Sequence, residues 1–133
     1  MTLKRTVTTL PEQTERLVEK AIGCCLAVHR ELGPGLSEGV YTKALRIELH
    51  ASAIQFEAEK PLPVRYRGHL LCQQRVDLYV EQRLVLEVKS VEQLHAVHIA
   101  QAISYLKLTG ARIALVVNFN VALLREGVRR VVL

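Results

Sequence analysis

The apolar positions of the first third recur at helical steps. Leu17, Ala21, Cys24, Val28 and Leu32 follow one another at three or four residues, which is the period of one helix face. Thr9 with Glu12 fits a capping box and Pro11 suits a first turn, so a helix is expected from about Pro11 to Glu31. The "LGPG" that follows must stop it, because Gly33 can take a left-handed cap and Pro34 cannot continue the hydrogen-bond ladder. Ser37 then caps a second helix to about Ala51. On it Val40, Ala44 and Ile47 form one stripe, and Tyr41, Leu45 and Leu49 the next.

From Ile54 the period shortens to that of strands. "IQFEAEKPLPVRYRGHLLCQQRVDLYVEQRLVLEVKSV" reads as an antiparallel meander of three strands, with turns at Arg67 to His69 and at Glu81 to Arg83. Leu94 to Leu108 has few charges and is closed by Gly110, so a helix covered on most sides is expected there. "ARIALVVNF" reads as a buried strand, and "VRRVVL" adds an edge strand. The order ααβββαβ, with one further strand, belongs to the α/β class: a mixed sheet flanked by helices, in one domain spanning 1–133.

Composition narrows the function classes. The chain has 133 residues, half of them apolar, which is enough for a core without disulfide or metal staples. Its net charge of +5 suits an anionic polymer such as nucleic acid as partner. The scattered Arg65, Arg67, Arg75, Arg125, Arg129 and Arg130 fit a plain solvated surface equally well. Cys24, Cys25 and Cys72 lack metal-ligand spacing and read as buried small hydrophobes. No apolar run approaches signal-peptide or membrane-spanning length, so a cytoplasmic protein without a membrane partner is expected.

The chemistry gathers in "VDLYVEQRLVLEVKS", Val76 to Ser90. Alternation puts Leu84, Leu86 and Val88 on one face of the strand and Val85, Glu87 and Lys89 on the other. If Glu81 to Arg83 form a three-residue loop, Val80 pairs with Leu84, and Asp77 falls opposite Glu87 with both side chains on one face. A two-residue turn would pair Asp77 with Leu86 and send the carboxylates to opposite faces. Two neighbouring carboxylates on a covered sheet call for a cation between them, and Lys89 supplies only one charge. Mg²⁺ supplies two and binds typically through one or two carboxylates while keeping waters. That arrangement suits phosphodiester hydrolysis. D-x9-E-x-K alone is a weak pattern, and a solvated strand face with an ordinary Glu and Lys is its plainer reading.

Four segments in order carry a resemblance: "LGPGLSEGVYTKAL" with Gly35, Glu38 and Tyr41, then "VDLYVEQRLVLEVKSVEQL", "HIAQAISYLKLTG" and "NFNVALLREGVRRVVL". The chain resembles the small GxxExxY proteins, a branch of the PD-(D/E)XK nuclease superfamily. This resemblance implies a restriction-endonuclease-like αβββαβ core with an additional N-terminal helix, and cleavage of nucleic acid, DNA first of all, with Mg²⁺ for which Mn²⁺ can substitute. It implies that Asp77 and Glu87 bind the metal, that Lys89 is the catalytic lysine, and that Glu38, at the first turn of the second helix, matches the glutamate the superfamily places beside the metal as a further ligand; a negative charge favoured there by the helix dipole is its plainer reading. The motif's proline is Val76 here, a position that ligates nothing.

Gln101-x3-Tyr105 is similar to a motif that follows the catalytic lysine in recombination-exonuclease relatives, which implies substrate contacts. His98 is three residues before Gln101 on the same helix side and joins them as a substrate-facing candidate. Tyr105 as core packing with Gln101 as its polar neighbour is the competing reading. His95 and His98 share no fixed spacing with His29, His50 or His69, which argues against a histidine zinc site. Aromatic residues are few, so stacking on splayed bases is poorly supported. Two rival classes remain: a nucleic-acid-binding or accessory module of the same fold without efficient chemistry, and a protein-interaction subunit that forms a homodimer through its terminal strand.

Overall fold

In the computed structural model, which describes residues 10–133, three helices surround one sheet. Helix α1 runs Glu12–Leu32 and α2 runs Glu38–Ala51. Strands β1 (Phe56–Tyr66), β2 (His69–Val80) and β3 (Leu84–Lys89) follow, then α3 (Ala96–Thr109), β4 (Ile113–Asn118), a single 3-10 turn at Leu124–Glu126, and β5 (Val128–Val132). The sheet order is β1-β2-β3-β4-β5. All neighbours are antiparallel except β3 and β4, which α3 joins in parallel.

Burial follows from the helical periods. Helix α1 buries Leu17, Val18, Ala21, Cys24, Cys25 and Val28, and ends where Gly33 takes a φ of 65°. At its start the amides of Thr14 and Glu15 donate to the Pro11 carbonyl; Thr9 of the expected capping box lies outside the described residues. In α2 the stripe Tyr41, Leu45 and Leu49 is fully buried, while Ile47 on the other stripe is 69% exposed. These helices cover one sheet face through Leu78, Val80, Leu84, Leu86 and Val88. Each such leucine or valine removed from water contributes roughly 1.5–3 kcal/mol.

The other face packs Val76, Tyr79, Val85, Ala114 and Val116 against Ala102, Tyr105 and Leu106 of α3. Helix α3 starts two residues later than expected and is not covered on most sides. It buries a single stripe, and Val97 stays 67% exposed. The physical reason is architectural, since among the described residues α3 is the only helix on its face, and its outer side meets water.

The sequence patterns miss three further details. The first hairpin turn is two residues, Arg67 and Gly68, both with positive φ (49° and 81°), so His69 already pairs with Tyr66. Cys72 is exposed rather than buried. Most of the first hairpin is uncovered: β2 has no buried residue until Val76. No described helix is long and apolar enough to cross a membrane.

Candidate active site

The β2–β3 connection decides where the carboxylates go. Val80 pairs with Leu84 and Leu78 with Leu86, so the loop is Glu81–Arg83 and Asp77 stands opposite Glu87. Glu81 and Gln82 both adopt positive φ (52° and 55°), and the Arg83 amide closes on the Val80 carbonyl at 3.0 Å. That left-handed pair gives the odd-length reversal on which a common face for the two acids depends.

At Asp77 and Glu87 the two strands exchange main-chain pairing for side-chain pairing. The Asp77 amide donates to Glu87 Oε2 at 2.8 Å, and the Val88 amide donates to Asp77 Oδ2 at 2.8 Å. Each carboxylate thus uses one oxygen to clamp the opposite strand. Among the described residues no buried side-chain polar atom lacks a partner, so the remaining oxygens are reachable by solvent or by a ligand.

A change of face in β2 occurs at the same point. Val76 packs in the core under α3, whereas Leu78, two residues on, packs in the opposite core under α1 and α2. A regular strand would place both on one side. The switch falls at Asp77, across from Glu59, whose flanking pairs are Ala58 with Leu78 and Lys60 with Val76, and Glu59 itself has a φ of 51°.

Burial and like charge act on the pair together. Glu87 is only 3% exposed. Burial, then the negative charge of Asp77 and that of Glu38, push its carboxyl from 4.5 up to about 8, although the Asp77 amide and Lys89 pull it down. Asp77 is raised too, first by burial, with Glu38 and Glu59 adding to it and the Val88 amide and Lys89 opposing. The folded protein therefore holds more protons than the unfolded chain between pH 4.5 and about 8. Stability of the metal-free protein should fall as pH rises through that window, by at most about 1.4 kcal/mol per pH unit for one group, and flatten above it. Thermal melting in EDTA at pH 5 and pH 8 checks this; equal or higher melting at pH 8 would contradict it.

The other candidates divide between this cluster and elsewhere. Lys89 Nζ donates to Gln101 Oε1 at 3.2 Å, which ties the strand to α3. The Tyr105 hydroxyl reaches Gln74 Oε1 at 3.5 Å; burial and then the charges of Glu87 and Asp77 raise it, while Gln101 pulls it down. Glu38 is exposed at the first turn of α2, close enough for its charge to act on both acids. His98 lies at the start of α3, where its Nδ1 accepts from the His95 amide at 2.9 Å.

The neighbourhood of Tyr41 explains how Glu38 comes near. The Tyr41 hydroxyl donates to the Gly33 carbonyl at 2.5 Å and accepts from the Leu36 amide at 3.1 Å, while its ring stacks on Phe119 at 4.6 Å. Ser90, next to Lys89, donates to the Leu36 carbonyl at 2.5 Å. The α1–α2 loop is thereby fastened to the end of β3. Asn118, almost fully buried beside Lys89, holds the segment after β3 through both the amide and the carbonyl of Val91, at 3.1 and 2.9 Å.

Sequence patterns missed Glu59 and Gln74. Nothing in them marks a non-glycine residue in the left-handed region, and Gln74 reads as one of two ordinary glutamines on an exposed strand. Among the described residues no three His, Cys, Asp or Glu side chains form a group that could hold a metal. What the site offers is two carboxylates with solvent-reachable oxygens, hard donors of the kind Mg²⁺ or Mn²⁺ accepts together with waters. The raised carboxyls fit that use, because a cation there would offset the burial of their charge and the neighbouring negative charges that raise them.

A family model described as the PD-(D/E)XK nuclease superfamily matches residues 15–131. No curated protein and no solved structure matches the chain significantly.

Proposed function

Because the chain belongs to the PD-(D/E)XK nuclease superfamily, we propose that it is a Mg²⁺-dependent nuclease that hydrolyses phosphodiester bonds in DNA, with Mn²⁺ able to substitute. The mixed sheet with its flanking helices is consistent with the restriction-endonuclease-like fold, and nucleases of this superfamily generally use divalent metal ions. One observation carries the finer reading: Asp77 and Glu87, brought opposite each other by the odd-length loop, form a partly buried acid pair beside Lys89. The GxxExxY branch is the finer assignment, supported by Gly35, Glu38 and Tyr41 and by the way Tyr41 fastens the loop that carries Glu38.

In this reading Asp77 and Glu87 hold the cation; Glu38, expected as a further ligand, forms no three-acid group with them among the described residues and adds negative charge at the edge. The bound ion would acidify a water and polarise the phosphoryl group. Lys89, fixed by Gln101, orients that water or offsets charge developing on the phosphate. Gln101 and Tyr105 line the side of the site under α3 and meet the substrate backbone there. His98, held at the start of the same helix by the bond to its Nδ1, joins them with its other ring nitrogen as a substrate-facing residue.

Purified protein with Mg²⁺ or Mn²⁺ should cut DNA, and Lys89→Ala should lower the rate by about 10²–10³. No cleavage above the Lys89→Ala control would sink the proposal, and cleavage of RNA alone would overturn the substrate. The rival reading, a nucleic-acid-binding module without efficient chemistry, draws on the lack of a three-ligand group among the described residues. It predicts salt-sensitive binding that survives Asp77→Ala, with no cleavage.

A further inference from the structure

The first hairpin is longer than the body needs. Over Pro61–Arg75 only Leu62 is buried, and the β2 half, His69–Arg75, is exposed throughout. Seven residues in extended form reach roughly 20 Å beyond the point where β2 enters the body. Its outer edge is the edge of the whole sheet, since β1 is the terminal strand. Pro61 and Pro63 on that strand have no amide to offer a further strand, which works against pairing with a second copy.

The charge on this ribbon has one sign. Between Lys60 and Asp77 there is no Asp or Glu, while Arg65, Arg67 and Arg75 are all exposed and none takes part in a salt bridge among the described residues. By contrast Arg130, one of the scattered arginines elsewhere, pairs with Glu15. The tip adds exposed Tyr66 (64%) and Leu71 (63%), with Leu70 beside them. Unpaired guanidinium groups at the tip (Arg65 and Arg67) and at the base (Arg75) of the ribbon complement a phosphate-lined groove with base edges at its floor.

Position links this ribbon to the acid pair. Asp77 lies two residues after Arg75, on the same strand. An open cleft lined by Val64, Gln74, Gln101, Ser104, Tyr105 and Lys107 runs between the ribbon's base and α3, and shares Gln101 and Tyr105 with the candidate active site.

We infer that the β1–β2 ribbon is a duplex-gripping arm: it enters the major groove of double-stranded DNA, with Arg65, Arg67 and Arg75 on phosphates, and so directs the site to duplex substrate. This rests on the proposed nuclease reading for its purpose, but not for its test. The major groove, about 12 Å wide, admits a two-stranded ribbon. A single strand would call for a row of stacking aromatics, and the exposed part of the ribbon, Pro61–Arg75, has only Tyr66 among Phe, Tyr and Trp.

The test is binding in EDTA, where no metal-dependent cleavage interferes. Fluorescence anisotropy compares a duplex with a single strand of the same sequence across a salt series, for the wild-type protein and Arg65→Ala/Arg67→Ala/Arg75→Ala. Wild type should prefer duplex by about tenfold or more. The triple variant, with unchanged melting temperature, should lose about tenfold or more of that affinity, and its log K against log salt slope should shrink by about 2 to 3, near 0.9 per lost phosphate contact. Unchanged duplex affinity and slope would overturn the inference, as would equal binding of single strand. It would also fall if Leu70→Ser/Leu71→Ser split a dimer while leaving duplex binding intact. Cleavage with Mn²⁺ is scored separately: arm-dependent binding without cleavage defeats the nuclease reading and keeps the arm, and cleavage with arm-independent binding does the reverse.

Discussion

Glu87→Gln should lower metal-dependent cleavage by about 10²–10³ and at the same time stabilise the metal-free protein at pH 8 by roughly 1–3 kcal/mol. Both effects have one cause. Glu87 is buried against a second carboxylate, so at pH 8 the apo protein holds either a protonated acid or a repelling pair. Glutamine keeps an oxygen for the Asp77 amide, which donates to Glu87 Oε2 at 2.8 Å, and removes the charge. It also removes half of the anionic donor set for a cation. Melting in EDTA and cleavage in Mg²⁺, measured on one preparation, check the pair of outcomes. A variant that cuts as well as wild type, or that melts lower in EDTA, would contradict the account of this site. The pH dependence of melting should flatten with the same substitution, because the group responsible no longer titrates.

Gly127→Ala should destabilise the fold by roughly 3 kcal/mol, whereas the same change at Gly23 should be neutral or stabilising by about 0.5–1 kcal/mol. A Cβ at Gly127 would lie 2.2 Å from the Asn118 carbonyl oxygen and 3.0 Å from Val121 Cγ2. The backbone there has little room to move, since the Asn118 amide donates to the Gly127 carbonyl at 2.8 Å and the Gly127 amide to Leu124 at 2.8 Å. Asn118 in turn holds Val91, so the clash would spread to the segment that follows Lys89. Gly23 lies within α1, and a methyl group added there would meet nothing within 4 Å. Chemical denaturation of the two variants checks the opposite signs, and a Gly127→Ala protein as stable as wild type would show that the contact relaxes at no cost.

How far the sequence could be read depended on whether a feature was local. The alternation in β3 placed Glu87 and Lys89 on one face, and the spacing of Asp77, the loop and Glu87 stated the register condition that the hairpin meets. These are properties of consecutive residues. The two stripes of α2 are likewise legible from their period, but which one is buried, and that β3 pairs with β4 in parallel, come from the packing of the whole sheet. Glu59 was illegible because its left-handed φ and its place across from Asp77 arise from a change of face that only the paired strands create. The bond from the His95 amide to His98 Nδ1 was equally hidden, since nothing in the spacing of the two histidines shows that one of them closes the start of its own helix. The uncovered ribbon was also hidden, since an alternating strand reads the same whether a helix lies over it or water does.

Everything proposed for the site rests on Asp77 and Glu87 sharing one divalent cation. Crystals grown with Mn²⁺ and measured at its absorption edge test this directly. A single anomalous peak about 2.1 Å from an oxygen of each carboxylate, lost in Asp77→Asn, is the predicted result; Mn²⁺ bound elsewhere, or a pair that stays empty at millimolar Mn²⁺, would contradict it.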